Sequence, residues 1–230
     1  MQKYKLDELP NNVVIKGIFD NSCKVSLSNI ALDAIIRGKL KLKIIQHGSN
    51  ASIAGFKATI CSLSGYIQIK VGNNDSTVHF GDRSKGAYDI RLWRNSHVVI
   101  GEKTTSNGVR IVCDNSEFTC GSDCMFSDDI LIQTSDQHGI VDLSSGEIIN
   151  SDYCKVTLGE HVWLGRQSTL SSRINIGSGS VIGTGSLVTK DIEANCIAAG
   201  VPAKIIKTNH SWCRSPVMLD EYSEKQLKKK

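Results

Sequence analysis

The most regular feature of the chain is a six-residue repeat of apolar and small side chains from Leu158 to Ala199. An aliphatic residue opens each block, and a small or β-branched residue stands four positions later. The seven blocks read Leu-Gly-Glu-His-Val-Trp, Leu-Gly-Arg-Gln-Ser-Thr, Leu-Ser-Ser-Arg-Ile-Asn, Ile-Gly-Ser-Gly-Ser-Val, Ile-Gly-Thr-Gly-Ser-Leu, Val-Thr-Lys-Asp-Ile-Glu and Ala-Asn-Cys-Ile-Ala-Ala. Amphipathic helices repeat every three or four residues and half-buried strands every two, so a period of six predicts short strands joined by tight corners.

Three such blocks close one triangular coil of eighteen residues. The first and fifth residues of each block are expected to face a narrow interior, and each coil buries its apolar column against its neighbours. Leu158, Ile176 and Ala194 are therefore predicted to lie above one another. The glycines that follow several opening residues supply conformational freedom at the corners.

A weaker signal of the same kind runs toward the N-terminus with a spacing of twenty residues. The residues at this spacing are Ile60, Phe80, Ile100 and Cys120. We therefore predict one solenoid from about Cys23 to about Ile206, with residues 1–22 as an N-terminal segment. Residues 207–230 form a C-terminal cap or tail, in which Trp212 packs over the open end of the solenoid.

The repeat disappears between Gly139 and Cys154. A solenoid accommodates such a segment by extruding it from a corner. We predict an extruded loop near residues 139–154.

Composition narrows the class of protein without naming a function. The 230 residues are 40% hydrophobic with a net charge of +4, and no apolar run approaches the roughly 20 residues of a membrane helix. Neither a membrane span nor nucleic-acid binding is indicated.

No signal-peptide pattern accompanies the eight cysteines, so we expect reduced thiols and a cytoplasmic protein. Cys120 and Cys124 fall on inward positions and are expected to be small buried side chains rather than metal ligands.

Four segments, in this order, resemble the hexapeptide-repeat acyltransferases, most closely their sugar and polysaccharide O-acetyltransferase branch. They are Thr134–Gly139, Val156–Gly165, Ile182–Asp191 and Ala199–Lys204. The resemblance covers positions 100–214 well and the first hundred residues poorly. It implies an all-β, left-handed parallel β-helix, a homotrimer with active sites between subunits, acetyl-CoA as co-substrate and no metal. The left hand comes from the resemblance alone, because the general rule for parallel crossovers favours right-handed turns.

The resemblance also implies a catalytic base, His138, in the context Ser-Asp-x-His. Imidazole, with an unperturbed pKa of about 6.5, suits the removal of a proton from a sugar hydroxyl. Asp136 either orients that imidazole or caps its own corner through a backbone bond, and the sequence leaves both open. His161 stands at an outward position and is expected to be solvated or to contact a neighbouring subunit.

Trp163 closes its block at an outward position, where a bare tryptophan is unfavourable. The resemblance implies a catalytic role, in which its indole N–H donates to the reacting oxygen. Burial against a neighbouring subunit is the alternative, and both can hold together. The residues expected to bind the coenzyme lie in the last coils: Gly165, Gly183 and Thr184 beside the pantetheine arm, and Lys190 and Lys204 at the phosphates.

The sequence therefore predicts an acetyl-CoA-dependent O-acetyltransferase acting on a sugar hydroxyl of a surface polysaccharide, capsule or O-antigen, or of its precursor. The segment 139–154 would then help to form the acceptor site. The alternative is an N-acyltransferase acting on an amino sugar, because the acceptor atom is not encoded in the motifs. A zinc enzyme of the carbonic-anhydrase kind is disfavoured: His138 and His161 are twenty-three residues apart, with no third histidine in register.

Overall fold

Short strands stack into three walls of a parallel β-helix, as the repeat predicts. A computed structural model describes residues 1–48 and 51–228. The first wall contains β1 (Gln2–Lys5), β3 (Lys24–Leu27), β5 (Lys57–Ile60), β7 (Thr77–Phe80), β9 (Ser96–Ile100), β11 (Ser116–Cys120), β14 (Cys154–Leu158) and β17 (Ile174–Ile176). All neighbours in this wall are parallel except β1, which pairs antiparallel with β3.

The second wall carries the longest strands and ends at the C-terminal edge. It contains β2 (Val14–Lys16), β4 (Leu40–Gln46), β6 (Ser64–Val71), β8 (Lys85–Leu92), β10 (Thr105–Cys113), β12 (Met125–Phe126), β15 (Trp163–Leu164), β18 (Val181–Ile182), β20 (Cys196–Gly200) and β21 (Ala203–Thr208). The last strand folds back antiparallel on β20.

A third wall with strands of its own begins only after β10, which pairs with two strands of the next coil. The first residues of β10 pair with β12, whereas Val109–Val112 pair with β13 (Ile130–Gln133). From there β16 (Thr169–Leu170) and β19 (Leu187–Val188) continue the third wall. The long strands β4, β6 and β8 therefore cover the area that two short strands cover in the later coils.

The predicted twenty-residue spacing is confirmed, because Ile60 pairs with Phe80 and Phe80 pairs with Ile100. These side chains are fully buried. Cys120 and Cys124 belong to this column, with 2% and 0% of their surface exposed, as expected for small core side chains.

The last coil differs from the prediction. Ile176 forms its bridge with Ile192, sixteen residues on, and Ala194 is exposed beside Gly177. The prediction that Ala194 lies above Ile176 is therefore wrong. The cause is a tight corner: only four positions separate Val188 from Ile192, where the repeat allows six.

Helices occupy little of the chain. A 3-10 turn covers Leu6–Glu8, α1 covers Asn29–Ile36 and α2 covers Glu221–Leu227. The sequence repeat did not reveal α1, which begins where the Ser28 hydroxyl accepts a bond from the amide of Ala31.

The domain limits stay predictions. Strands β1 and β2 precede the predicted start at Cys23, and β21 crosses the predicted end at Ile206. Residues 49 and 50 of the predicted solenoid, and residues 229 and 230 of the predicted tail, lie outside the described residues. Over residues 1–48 and 51–228, no helix is long and apolar enough to cross a membrane.

The close approach of successive coils predicts which glycines are essential. Gly86 has φ +122°, and a Cβ there would lie 1.9 Å from the carbonyl oxygen of Ser106 in the next coil. Gly86→Ala is expected to lower the free energy of unfolding by about 3 kcal/mol or more, through backbone strain and this clash. Gly38→Ala is the matched control, because Gly38 has φ +69° and open space around it, so about 1 kcal/mol is expected. Urea unfolding measures both; equal losses would contradict this account of coil spacing.

Candidate functional site

The break in the repeat is an extruded loop, as predicted, between the end of β13 at Gln133 and the start of β14 at Cys154. Its arms meet at an antiparallel bridge between Val141 and Ile148. The loop exposes several apolar side chains, and Leu143 at its tip is 94% exposed.

His138 lies at the base of this loop, on a polar pocket of about 290 Å³. Its backbone amide donates to the carbonyl of Asp136, which forms a tight turn, and its side chain is exposed. Arg94 and Asp114 form one side of the pocket through a two-pronged ion pair, with N–O distances of 2.9 and 3.1 Å. Within the described residues the imidazole has no hydrogen-bond partner, so both ring nitrogens remain available to a ligand.

Asn150 anchors the loop that carries His138. Its side-chain NH2 group donates to the Asp136 carboxylate over 3.1 Å and to the His138 carbonyl over 2.8 Å, and its Oδ1 accepts from the amide of Ile140. The Asp136 carboxylate is therefore bonded to Asn150 rather than to the imidazole. Sequence reasoning did not identify Asn150, because nothing in the spacing distinguishes it from other polar loop residues.

Trp163 opens β15 and lines a second pocket, of about 260 Å³. Its side chain is half-buried, and its indole N–H donates to the Ser127 hydroxyl over 3.3 Å. The Arg166 guanidinium donates to Asp128 over 2.7 Å at the rim, and this hydrogen bond holds the pKa of that carboxyl below its usual range. The pocket thus combines an aromatic wall with hydroxyl and charged groups.

Four of the five residues predicted to bind the coenzyme lie on one face. Gly165 and Thr184 line the Trp163 pocket. Gly183 is adjacent: a Cβ there would lie 2.8 Å from that of Ala199, which pairs with Lys204 across β20 and β21. Lys204 is exposed.

Lys190 does not belong to this group. It is exposed in the corner that follows β19, at the end of the third wall, whereas the other four residues flank the second wall. Within this chain, Lys190 therefore lies away from the Trp163 pocket.

The chain does not bring His138 and Trp163 together. His138 leaves the corner between the third and first walls, and Trp163 follows the corner between the first and second walls. The two pockets share no lining residue.

Two predictions about the surface are wrong. His161 is neither solvated nor available to another subunit: its side chain is 1% exposed, between the rings of Trp212 and Tyr222. Trp212 packs on the side of the solenoid rather than over its open end, with its ring centre 5.8 Å from that of Trp163. The chain after Asn209 thus returns along a corner of the solenoid and covers part of Trp163, a long-range contact that the repeat does not encode.

The known proteins that resemble this chain include carbohydrate O-acetyltransferases. The chain is 42% identical over 140 residues to the polysialic acid O-acetyltransferase of Escherichia coli O1:K1 / APEC, covering 60% of this chain and 44% of that protein. It therefore spans less than half the length of that relative. It is 30% identical over 148 residues to the putative lipopolysaccharide biosynthesis O-acetyl transferase WbbJ of Escherichia coli strain K12, covering 60% of this chain and 75% of that one.

The similarity extends to structure. The crystal structure of the polySia specific acetyltransferase NeuO matches with a TM-score of 0.74 and 30% identity, over 95% of each chain. No family model matches the chain.

The anchoring role of Asn150 generates a prediction. Asn150→Ala removes three hydrogen bonds from the loop base, so protease cleavage within residues 139–153 should become about tenfold faster while the solenoid stays folded. Glu147→Gln, at an exposed position of the same loop, is the control and should match the unaltered protein. Limited proteolysis with mass spectrometry measures both; equal cleavage of the two variants would contradict the anchor.

Proposed function

The chain belongs to the hexapeptide-repeat acyltransferases, in their sugar O-acetyltransferase branch, and we propose that it transfers an acetyl group from acetyl-CoA to a sugar hydroxyl. The acceptor in this proposal is a surface polysaccharide, capsule or O-antigen, or its precursor. The observation that carries the proposal is the unbonded imidazole of His138 in a polar pocket, at the place where the family motif puts a base.

His138 is the proposed general base. One ring nitrogen takes the proton of the acceptor hydroxyl while that oxygen forms a bond to the thioester carbonyl carbon. The C–S bond then breaks, and the proton held by His138 passes to the departing CoA thiolate, which leaves the imidazole neutral for the next cycle. An imidazole can both accept a proton and return it, so one side chain can perform both transfers.

Trp163 is the proposed donor to the reacting carbonyl oxygen. Its N–H now donates to the Ser127 hydroxyl over a long 3.3 Å, a bond that a more strongly charged acceptor can replace. Such donors act by stabilising negative charge as it develops.

The residues around the Trp163 pocket fit the thioester end of acetyl-CoA. Gly165 lines the pocket with backbone alone, and the missing Cβ at Gly165 and at Gly183 faces the adjoining coil, so both glycines permit close coil packing beside the pocket. The pocket volume of about 260 Å³ suits an acetyl group and part of an extended arm, so the nucleotide end must extend beyond it. Lys204, exposed on the same face, is the proposed partner of the phosphates, and the role of Lys190, which lies away from this pocket, stays a prediction.

The proposed assembly is a homotrimer with active sites between subunits. Its support is the separation of the two pockets: His138 of one copy must meet Trp163 of another. The exposed apolar side chains of the loop provide surface for such a contact, since exposed apolar patches mark interaction sites.

The choice of oxygen over nitrogen as the acceptor atom rests on the relatives. Those at 42% and 30% identity are named as O-acetyltransferases, one for polysialic acid and one for lipopolysaccharide synthesis. The cytoplasmic location stays a prediction.

The base assignment generates a direct prediction. His138→Ala should lower turnover about 10²–10⁴-fold, because proton transfer by a positioned base contributes that much. Acetyl-CoA affinity, measured by calorimetry, should stay within about twofold, because none of the residues assigned to the coenzyme lines the His138 pocket.

The matched control is His79→Ala, an exposed histidine on β7. It should retain full turnover in a thiol-release assay with polysialic acid and lipopolysaccharide fragments as acceptors. Unchanged turnover in His138→Ala would remove the base assignment, and turnover with amino-sugar acceptors alone would favour the N-acyltransferase.

A further inference from the structure

His161 occupies a buried aromatic sandwich that the proposed chemistry does not use. Its ring stacks between Trp212, at 4.3 Å and 11°, and Tyr222, at 4.4 Å and 15°. Both aromatic residues belong to the returning part of the chain, residues 209–227, which we call the C-terminal segment. A histidine held face to face by two π systems is favoured when it is cationic.

Hydrogen bonding requires that cation. Nδ1 of His161 lies 2.8 Å from Oδ2 of Asp123, and Nε2 lies 2.8 Å from the carbonyl oxygen of Trp212. A carbonyl cannot donate, so Nε2 carries a proton. Asp123 also accepts from Arg214 over 2.9 Å. Paired with that guanidinium, Asp123 is an ionised carboxylate that can only accept, so Nδ1 must donate as well.

A second carboxylate depends on the same charge. Oδ2 of Asp220 is buried and lies 3.3 Å from Nε2 of His161. In the part of the chain that the structure describes, no hydrogen-bond donor reaches this oxygen, so the nearby charge of His161 is what offsets it. A carboxylate oxygen buried without a positive neighbour is unfavourable, so a neutral His161 would weaken the start of α2 as well as the stacking.

The solenoid carries a dedicated surface for the C-terminal segment. One corner stacks residues of left-handed conformation, and Asp123, His161, Gly179 and Asn195 follow one another there. A Cβ at Gly179 would lie 2.5 Å from the Tyr222 hydroxyl, which donates to Asn195 over 3.1 Å. The missing side chain at Gly179 is therefore what admits the ring of Tyr222.

The same contacts extend to Trp163. The Trp212 indole N–H donates to the carbonyl of His161 over 2.8 Å, two residues before Trp163. Its ring lies against Trp163, at 5.8 Å and 49°. Docking of the C-terminal segment therefore fixes both the backbone entering β15 and one face of the Trp163 ring.

We propose that His161 is a positioning residue: a buried imidazolium that holds the C-terminal segment on the solenoid and, through Trp212, sets the position of the Trp163 indole. The docking part stands on the contacts above. The effect on turnover rests on the function proposed for Trp163.

This arrangement makes docking sensitive to pH. Burial by itself would lower the pKa of His161, but bonds to Asp123 and the Trp212 carbonyl and the charges of Asp220 and Asp123 raise it overall. Docking of the C-terminal segment is then complete below the ordinary imidazole pKa of about 6.5. It is lost as the pH rises through the raised pKa that His161 has in the folded protein. The charged and titratable groups facing this region are Glu102, Lys103, Asp123, Glu160, Arg214, Asp220, Glu221, Tyr222 and Lys225.

The test compares docking and turnover across pH in the full-length protein. Hydrogen exchange of residues 212–227, corrected for the intrinsic rate and measured without substrate, reports docking. We expect the protection of these amides against exchange to fall about tenfold or more between pH 6 and pH 9. The fall in kcat should have the same midpoint pH. Asp220→Asn keeps the helix cap but removes one carboxylate, so both midpoints should move about 1 pH unit lower. Glu224→Gln, exposed on the same helix, should leave both in place.

His161→Gln supplies a second variant and should show low protection at every pH. The proposal is overturned if protection is independent of pH in the unaltered protein, if His161→Gln keeps full protection, or if kcat stays flat while protection falls. An unaltered protein that transfers no acetyl group at pH 6.5 contradicts the proposed function instead, and the exchange data still decide the docking part.

Discussion

Hydrogen-bonded stacking of each coil on the next is the constraint on which the rest of the structure depends. The backbone of each coil bonds to its neighbours along two walls in the early coils and three in the later ones, and the narrow interior is filled by the buried inward side chains. Outward side chains are consequently held at fixed heights and corners. Trp163, Gly165 and Thr184 share one pocket because the register of β15 and β18 leaves them no alternative.

Two segments depart from the repeat, the extruded loop and the C-terminal segment, and each positions a side chain that coil stacking alone does not fix. The extruded loop places His138 beyond the solenoid surface and ties it down through Asn150. The C-terminal segment folds back on a corner column and supports Trp163 from the side. Regular coils thus provide a rigid frame that carries Trp163, while the irregular segments position His138 and cover one side of Trp163.

The repeat was enough to predict the solenoid, the twenty-residue coils and the loop, because inward positions are dictated by burial at a fixed period. It failed where local geometry overrides the period: the shortened corner before Ile192 displaces Ala194. The resemblance to the family identified His138, Trp163 and the glycines at 165 and 183 as candidate site residues. It contained no information on Asn150 or on the burial of His161. Those contacts join residues 12 and 51 positions apart through side-chain bonds that leave no trace in spacing.

The central claim is that His138 and Trp163 act together only across two copies of the chain. Subunit complementation tests it most directly: His138→Ala and Trp163→Ala, each nearly inactive alone, are co-expressed in equal amounts and the mixed assemblies assayed. In a ring where each site takes His138 from one copy and Trp163 from the next, random mixing leaves both residues intact in about a quarter of the sites. Roughly a quarter of normal turnover should therefore return. Mixed assemblies as inactive as either parent would place both residues in one chain's site and contradict the account.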